Sequence, residues 1–342
     1  MEYKLKSFAE KLKKRSIDVA FGEKIAPYTT FKIGGPADIL IKVKNSTELE
    51  IALEECAKYE LQVFLIGKGS NILVSDKGVR GVTIINQSTQ WDILEDVVIS
   101  IPDNKKTESR YFHLEHKKDK YKIFKGKTTI VRVDSGVSVG TLRNNLFKSN
   151  IFGLEWFAGI PSTTGGALYV NMHGANVFFG DLVYRAKLFD GKEFKIVQND
   201  YFKFAYDYSF LQETKESIIW IELLLQKGDV SEPMQSAKEW AKQKSFQPQR
   251  SAGCIFHNLS EKEMSMVNSP TPSAGYLIDK ILGLKGLSIG GAKVSEKHAA
   301  FIENTGNAKA EDVLKIIDII KNEAKTKLEL NLKLEIELKG DF

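Results

Sequence analysis

Residues 63–75 read Val63-Phe64-Leu65-Ile66-Gly67-Lys68-Gly69-Ser70-Asn71-Ile72-Leu73-Val74-Ser75, an apolar run broken by a glycine-rich turn and then resumed. The run before the turn is short, apolar and bounded by turn residues, as a buried strand is. Upstream, Gly34-Gly35-Pro36 marks a turn before an alternating strand over Ile39–Val43. Ser46 or Thr47 then stands where a helix is capped, with Leu49, Ile51, Leu53 and Cys56 as its apolar positions. Strand, helix, strand and glycine turn in this order indicate an α/β arrangement. In the turn itself, glycines let the main chain approach an anion, while amides, the Ser70 hydroxyl and the Asn71 side chain offer donors to phosphate. A strand follows, so the segment is neither a P-loop nor the Rossmann fingerprint. Its bland alternative is a plain turn.

From Thr83 to Val133 the pattern is strand-rich, with alternation in VVISI, YKIFK and TTIVRV around a polar, basic insertion near residues 102–127 that reads as a solvated hairpin. Strands resume at AKLFD and at SIIWIELLLQ, the latter a run suited to a sheet buried on both faces. SEPMQSAKEWAKQKSF reads as a helix, and a last helix spans Lys309–Lys325 with Val313, Ile316, Ile317 and Ile320 as its stripe. LELNLKLEIELKG closes the chain with two-residue alternation, hence as a strand. The expected organisation is a lead helix over 1–20, a domain over 21–228 in two lobes (21–92 and 93–228), and a second domain over 229–342.

The 342 residues are 42% hydrophobic and 27% charged, the balance of a globular protein. The net charge of +5, from 49 basic against 44 acidic residues, suits a phosphorylated ligand and is too small to argue for nucleic acid. Cys56 and Cys254 build neither a disulfide framework nor a zinc site, and no metal is expected. The basic N-terminal stretch lacks the apolar core of a signal peptide, and no apolar run has the length of a membrane span. A cytoplasmic protein, monomeric or a small homo-oligomer, is expected.

Three further segments carry chemistry. Gly159-Ile160-Pro161-Ser162-Thr163-Thr164-Gly165-Gly166-Ala167 combines small residues and hydroxyls, leaving room for a flat cofactor and a pyrophosphate on main-chain amides; Asn171 and His173 follow it. His173 reads either as a group facing that flat cofactor or as a satisfied structural histidine. Cys254, in Ser251-Ala252-Gly253-Cys254, reads either as an exposed thiol that transfers a proton or as a buried, inert one. Gly290-Gly291 leads into Lys293, Ser295, His298 and Asn304, polar groups suited to a substrate's phosphates or hydroxyls.

Together these blocks resemble the MurB family of UDP-N-acetylenolpyruvoylglucosamine reductases of cell-wall synthesis. The blocks are TTFKIGGPADIL, IGKGSNILVSDKGVRGVTI, GLEWFAGIPSTTGGAL, QPQRSAGCIF, SAGYLIDKILGLKGLSIGGAKVSEKHAAFIENTG and LEIEL. The resemblance implies an α+β fold, with a two-lobed FAD-binding domain of the vanillyl-alcohol-oxidase type followed by a C-terminal α+β substrate domain. It implies non-covalent FAD, NADPH as reductant and a nucleotide-sugar substrate. By position it carries cofactor contacts onto Ile33, Gly67, Lys68, Gly69, Ser70, Asn71, Ile72 and the Gly159–Gly166 turn, with Thr30 preceding the first glycine turn. It carries the proton donor onto Cys254, the catalytic glutamate onto Glu337 with Glu335 as its rival two residues earlier, and substrate contacts onto Tyr206, Ser209, Asn258, Lys293 and His298.

Two departures stand out. The family's Tyr-Arg-x-Ser is here Tyr206-Asp207-Tyr208-Ser209, so the arginine that polarises the enolpyruvyl group is a carboxylate. The family's Asn-Ala-Gly-Ala-Tyr/His-Gly is Asn171-Met172-His173-Gly174-Ala175-Asn176, a pattern similar to FAD-dependent sugar oxidases. Arg250, four residues before Cys254, is a candidate to replace the lost arginine. A flavoprotein oxidase or dehydrogenase acting on another sugar or nucleotide sugar is the alternative reading, and a non-catalytic flavin-binding protein a further one.

Overall fold

The computed structural model describes residues 2–97, 127–175 and 177–342. The basic insertion, the YKIFK segment, nearly all of VVISI and Asn176 lie outside the described residues. The chain forms two compact units, each built from separated stretches of sequence. The first takes Met1–Asp18, Lys42–Leu61 and Ile85–Ser245; the second takes Val19–Ile41, Gln62–Ile84 and Phe246–Phe342. Among the described residues no helix is long and apolar enough to cross a membrane.

In the first unit an antiparallel sheet runs in the order Phe194–Gln198, Val183–Phe189, Ser217–Lys227, Lys127–Asp134, Trp91–Val97, with Ile151–Phe152 paired to Ser217–Lys227. SIIWIELLLQ is its central strand and is buried over most of its length, as its continuous apolar run requires. The run contains one charge, Glu222, which is fully buried. Arg132 and Arg185 both reach its carboxylate, at 2.6 Å each, so the charge is paired as burial demands. Helix Ser231–Lys244 packs here too: its Trp240 meets Trp156 edge-on at 6.2 Å. Helix Ser46–Lys58 is capped by Asn45, one residue before the expected Ser46, its side chain accepting from the Glu48 amide.

In the second unit four strands follow the order Asp18–Phe21, Ala37–Val43, Val79–Asn86, Val63–Ile66. Helix Ala310–Leu328 buries Val313, Ile316, Ile317 and Ile320, the expected stripe, together with Ala324, into a core shared with Phe31, Leu73 and Phe256. Gly290-Gly291 is a docking turn for that helix: a β-carbon on Gly291 would lie 2.3 Å from the Ala308 nitrogen, and its amide donates to Asp312. The closing alternation is not one strand. Leu330, Leu332 and Ile336 are buried with the expected spacing, yet only Glu337–Lys339 pairs, in parallel with Ile72–Val74. Alternation sets which side chains are buried, whereas a ladder also needs a neighbouring strand; Leu334 meets one only through an isolated bridge to Phe256. The mixture of antiparallel sheet and segregated helices is α+β, as expected.

Candidate active site

In the second unit the first glycine turn lies at a junction of three chain segments. Gly69 has φ +60°, and a β-carbon there would stand 2.5 Å from the Tyr28 carbonyl oxygen, so only glycine fits. Thr30 ties two of the segments together: its hydroxyl donates to the Ser251 carbonyl at 2.7 Å and to Gly69 O at 3.2 Å. Its amide also donates to Gly69 O. Gly253, at φ +80°, has Ser70 O as the nearest atom to a β-carbon, 3.9 Å away. Cys254 follows directly, half-buried and bridged to Phe301. The third segment is the chain's end: Asn71 Nδ2 donates to Glu335 O, and the Glu337 amide donates to Asn71 O. Loop 67–71, the Cys254 turn and residues 335–337 are thus one local structure. Ile33 is buried in the core beneath, while Lys68 is exposed and Ile72 begins the strand Ile72–Val74.

The two glutamates are distinguished by their surroundings. Glu337 lies on the terminal strand and its carboxylate pairs with Lys339. Glu335 lies in the bend before that strand, so the two do not share the face of one strand, as their spacing had suggested. Its amide donates to the carbonyl of Ile255, the neighbour of Cys254. Its carboxylate comes within 4.8 Å of a ring nitrogen of His257. Sequence reasoning missed His257, whose only signal was closeness to Cys254.

The other residues of this unit are placed by local hydrogen bonds. Asn258 Oδ1 accepts from the Ala274 amide, and Lys293 pairs with Glu296 at 3.0 Å. His298 sits in a turn built on Ser295 Oγ, its Nδ1 accepting from the Ala300 amide. Asn304 is structural: its side chain donates to Phe31 O and accepts from the Gly306 and Ala308 amides. Arg250 is exposed, and its carbonyl accepts from the Asn304 amide.

In the first unit, the turn 159–167 uses its amides internally. Thr164 and Gly165 donate to Val137 O and Ser135 O, and Gly166 donates to the Thr163 hydroxyl. Gly159, at φ +80°, faces Lys244, whose Cβ would be 2.8 Å from a β-carbon. Gly159 and Pro161 are exposed and Ile160 is half-buried; Ser162 and Thr163 are buried. Gly166, near the far end of the turn, is exposed as well.

The same unit holds the departures. Asn171 is fully buried at φ +48°, donating to Ala205 O at 2.7 Å and accepting from the Gly180 amide at 2.9 Å. It thereby fastens a tight hairpin in which Ala205 and Tyr208 exchange both backbone bonds. Asp207, at the hairpin tip with φ +50°, meets His173: Oδ1 and the ring Nδ1 are 2.9 Å apart. The His173 ring lies 5.0 Å from that of Tyr206 and 5.6 Å from that of Phe178. Ser209 is fully buried with its hydroxyl on Tyr169 O.

Comparison with known proteins agrees with this architecture. Residues 246–339 match the family described as UDP-N-acetylenolpyruvoylglucosamine reductase, C-terminal domain. The UDP-N-acetylenolpyruvoylglucosamine reductase of Bacillus subtilis is 34% identical over 343 aligned positions covering 97% of both chains. That of Caldanaerobacter subterraneus is 32% identical with 93% of both chains covered. The crystal structure of the Thermus caldophilus enzyme (MurB) superposes with a TM-score of 0.68 at 28% identity, over 95% of this chain and 99% of that one. With a third of its residues shared over nearly the full length, the chain belongs to the family of UDP-N-acetylenolpyruvoylglucosamine reductases.

Proposed function

We propose that this chain reduces UDP-N-acetylglucosamine enolpyruvate to UDP-N-acetylmuramate, a step of peptidoglycan precursor synthesis, with non-covalent FAD and NADPH. The observation that carries the reading is the junction at Thr30, which joins an anion-ready glycine loop to the turn bearing Cys254. Gly67–Asn71 fits a phosphate: the main-chain groups it engages within the protein are carbonyls, which accounts for a loop whose amides serve a ligand. The turn Gly159–Gly166 would add further cofactor contacts. Bound FAD would accept hydride from NADPH and supply it to the enolpyruvyl double bond.

The chain's own residues do the rest. Cys254 donates the proton to the carbon next to the one that gains hydride, and the electron pair of the double bond forms that new C–H bond. The resulting thiolate recovers a proton from solvent. Cys56 has no such role: burial pushes its thiol up to about 12. Glu337, paired with Lys339, is the carboxylate that assists in this reading, with Glu335 near His257 as its rival. Asn258, Lys293 and His298 are substrate contacts in this reading, and Tyr206 adds an exposed ring. Arg250, exposed beside Ser251, is the candidate to stand in for the missing arginine in this reading. The functional division into a cofactor domain, 21–228, and a substrate domain, 229–342, and a cytoplasmic location belong to the same proposal.

A second reading, an oxidase or dehydrogenase of another sugar, is favoured by the His173–Asp207 pair, which could draw a proton from a substrate hydroxyl. The experiment is to supply purified protein with FAD and NADPH and follow nicotinamide absorbance with and without the enolpyruvyl nucleotide. Consumption that requires this substrate and yields a product heavier by two hydrogens supports the reductase. Consumption with a simple sugar alone would favour the second reading.

A further inference from the structure

The geometry points to His173, held by Asp207, as the hydrogen-bond donor that meets the substrate's carboxylate; this rests on the reductase reading above. A carboxylate only accepts, so the 2.9 Å bond to Asp207 Oδ1 puts the shared hydrogen on Nδ1 and leaves Nε2 as the nitrogen that meets a ligand. The ring is held in place by the Tyr206 and Phe178 rings on neighbouring segments, and by Gly174, where a β-carbon would come 1.9 Å from the Trp156 carbonyl oxygen. Exposure divides the pair unequally: the His173 side chain is 35% exposed and that of Asp207 only 12%. Of the pair, the imidazole is the more accessible to a ligand.

Both halves are anchored. Asn171 fastens the hairpin at Ala205, Gln212 donates to Asp207 O, and the buried Ser209 hydroxyl holds Tyr169. The left-handed φ of +50° at the hairpin tip suits aspartate, one of the few residues that adopt it readily. Such fastening is what a polar group needs if it is to be aimed without reorganising during the reaction.

The chemistry follows from charge. An aspartate facing the substrate's carboxylate would repel it, and more strongly as the double bond's electron pair shifts toward that carboxylate on hydride addition. Uptake of one proton from solvent together with the substrate's carboxylate places an imidazolium between the two carboxylates and reverses the sign: Nδ1–H faces Asp207, and Nε2–H donates to the substrate.

The test compares His173→Ala and the isosteric Asp207→Asn with the unmodified protein, and adds the double variant His173→Gly/Asp207→Arg. Stopped-flow absorbance reads flavin reduction by NADPH and re-oxidation by the enolpyruvyl nucleotide separately; calorimetry reads the affinity for UDP-N-acetylmuramate. In His173→Ala, re-oxidation is expected to fall about a hundredfold more than reduction, the scale of one missing transition-state donor. Product binding should weaken about tenfold, the scale expected when one charged hydrogen bond to the ligand is removed. Asp207→Asn should show the same pattern at smaller amplitude, and the double variant should recover re-oxidation to within about tenfold of the original. Unchanged re-oxidation and product affinity in both single variants overturn the inference and leave the reductase reading standing. An unmodified protein that the substrate fails to re-oxidise overturns both.

Discussion

Gly69 and Gly165 occupy turns that look alike in sequence, and neither has room for a β-carbon. At Gly69 it would stand 2.5 Å from Tyr28 O, and at Gly165 2.8 Å from Ser135 Cβ. The turns differ in whether the fold uses their amides. Around Gly69 the engaged groups are carbonyls, Gly69 O taken by Thr30 and Asn71 O by Glu337. Around Gly165 amides are engaged as well, by Ser135 O, Val137 O and the Thr163 hydroxyl, beside the Ser162 and Gly166 carbonyls that accept from Val139 and Val170. Glycine density reports that something comes close; the hydrogen bonds of the amides report how far the protein itself has claimed them.

Substitutions at several points can undo this contrast. The largest effect is expected at the turn joined to the first loop: Cys254→Ala should slow re-oxidation by roughly 10²- to 10⁴-fold, the range for a missing general acid, while Cys254→Ser keeps much of the rate. Stopped-flow absorbance decides it, and an unchanged rate removes the thiol from the mechanism. Next comes Asn171→Ala, which leaves the Gly180 amide and the Ala205 carbonyl without their partner. A loss of about 2–4 kcal/mol of unfolding free energy is expected in urea titration, from two buried groups left unsatisfied.

Alanine at the glycines separates the two turns further. Gly69→Ala combines a positive φ with a backbone clash, and should destabilise the second unit by about 2–4 kcal/mol and strip the protein of bound FAD. Gly165→Ala meets Ser135 and should destabilise by about 1–3 kcal/mol with FAD retained. Gly166→Ala meets only the Thr163 and Ser162 hydroxyls, at 3.3 and 3.4 Å, and should stay within about 1 kcal/mol, helped by its helical position. Yellow colour retained by Gly69→Ala would refute the assignment of that loop to the cofactor. The smallest effect concerns the cysteines: a thiol reagent at pH 8 should label Cys254 in the native protein, and Cys56 only after unfolding, because burial holds its thiol near 12.

Elements whose burial follows one periodicity were legible in the sequence. The central strand Ser217–Lys227 and the helix Ala310–Leu328 carry enough apolar residues for packing to leave one solution. The terminal LELNLKLEIELKG was half legible, since alternation revealed which side chains are buried but not that pairing is confined to Glu337–Lys339. That gap matters for function, because it hid the bend separating Glu335 from Glu337. The roles of Asn171 and Ser209 were also out of reach: a buried amide or hydroxyl reads the same in sequence whether it meets a ligand or a carbonyl of its own chain. The pairing of His173 with Asp207 joins two segments whose departures looked independent, and only the hairpin at Ala205–Tyr208 makes them one feature.

An anaerobic titration of the flavin-loaded protein puts the reductase assignment to its plainest test. NADPH should bleach the flavin absorbance near 450 nm, and one equivalent of UDP-N-acetylglucosamine enolpyruvate should restore it without oxygen. A reduced flavin that stays bleached when that substrate is added would contradict the assignment.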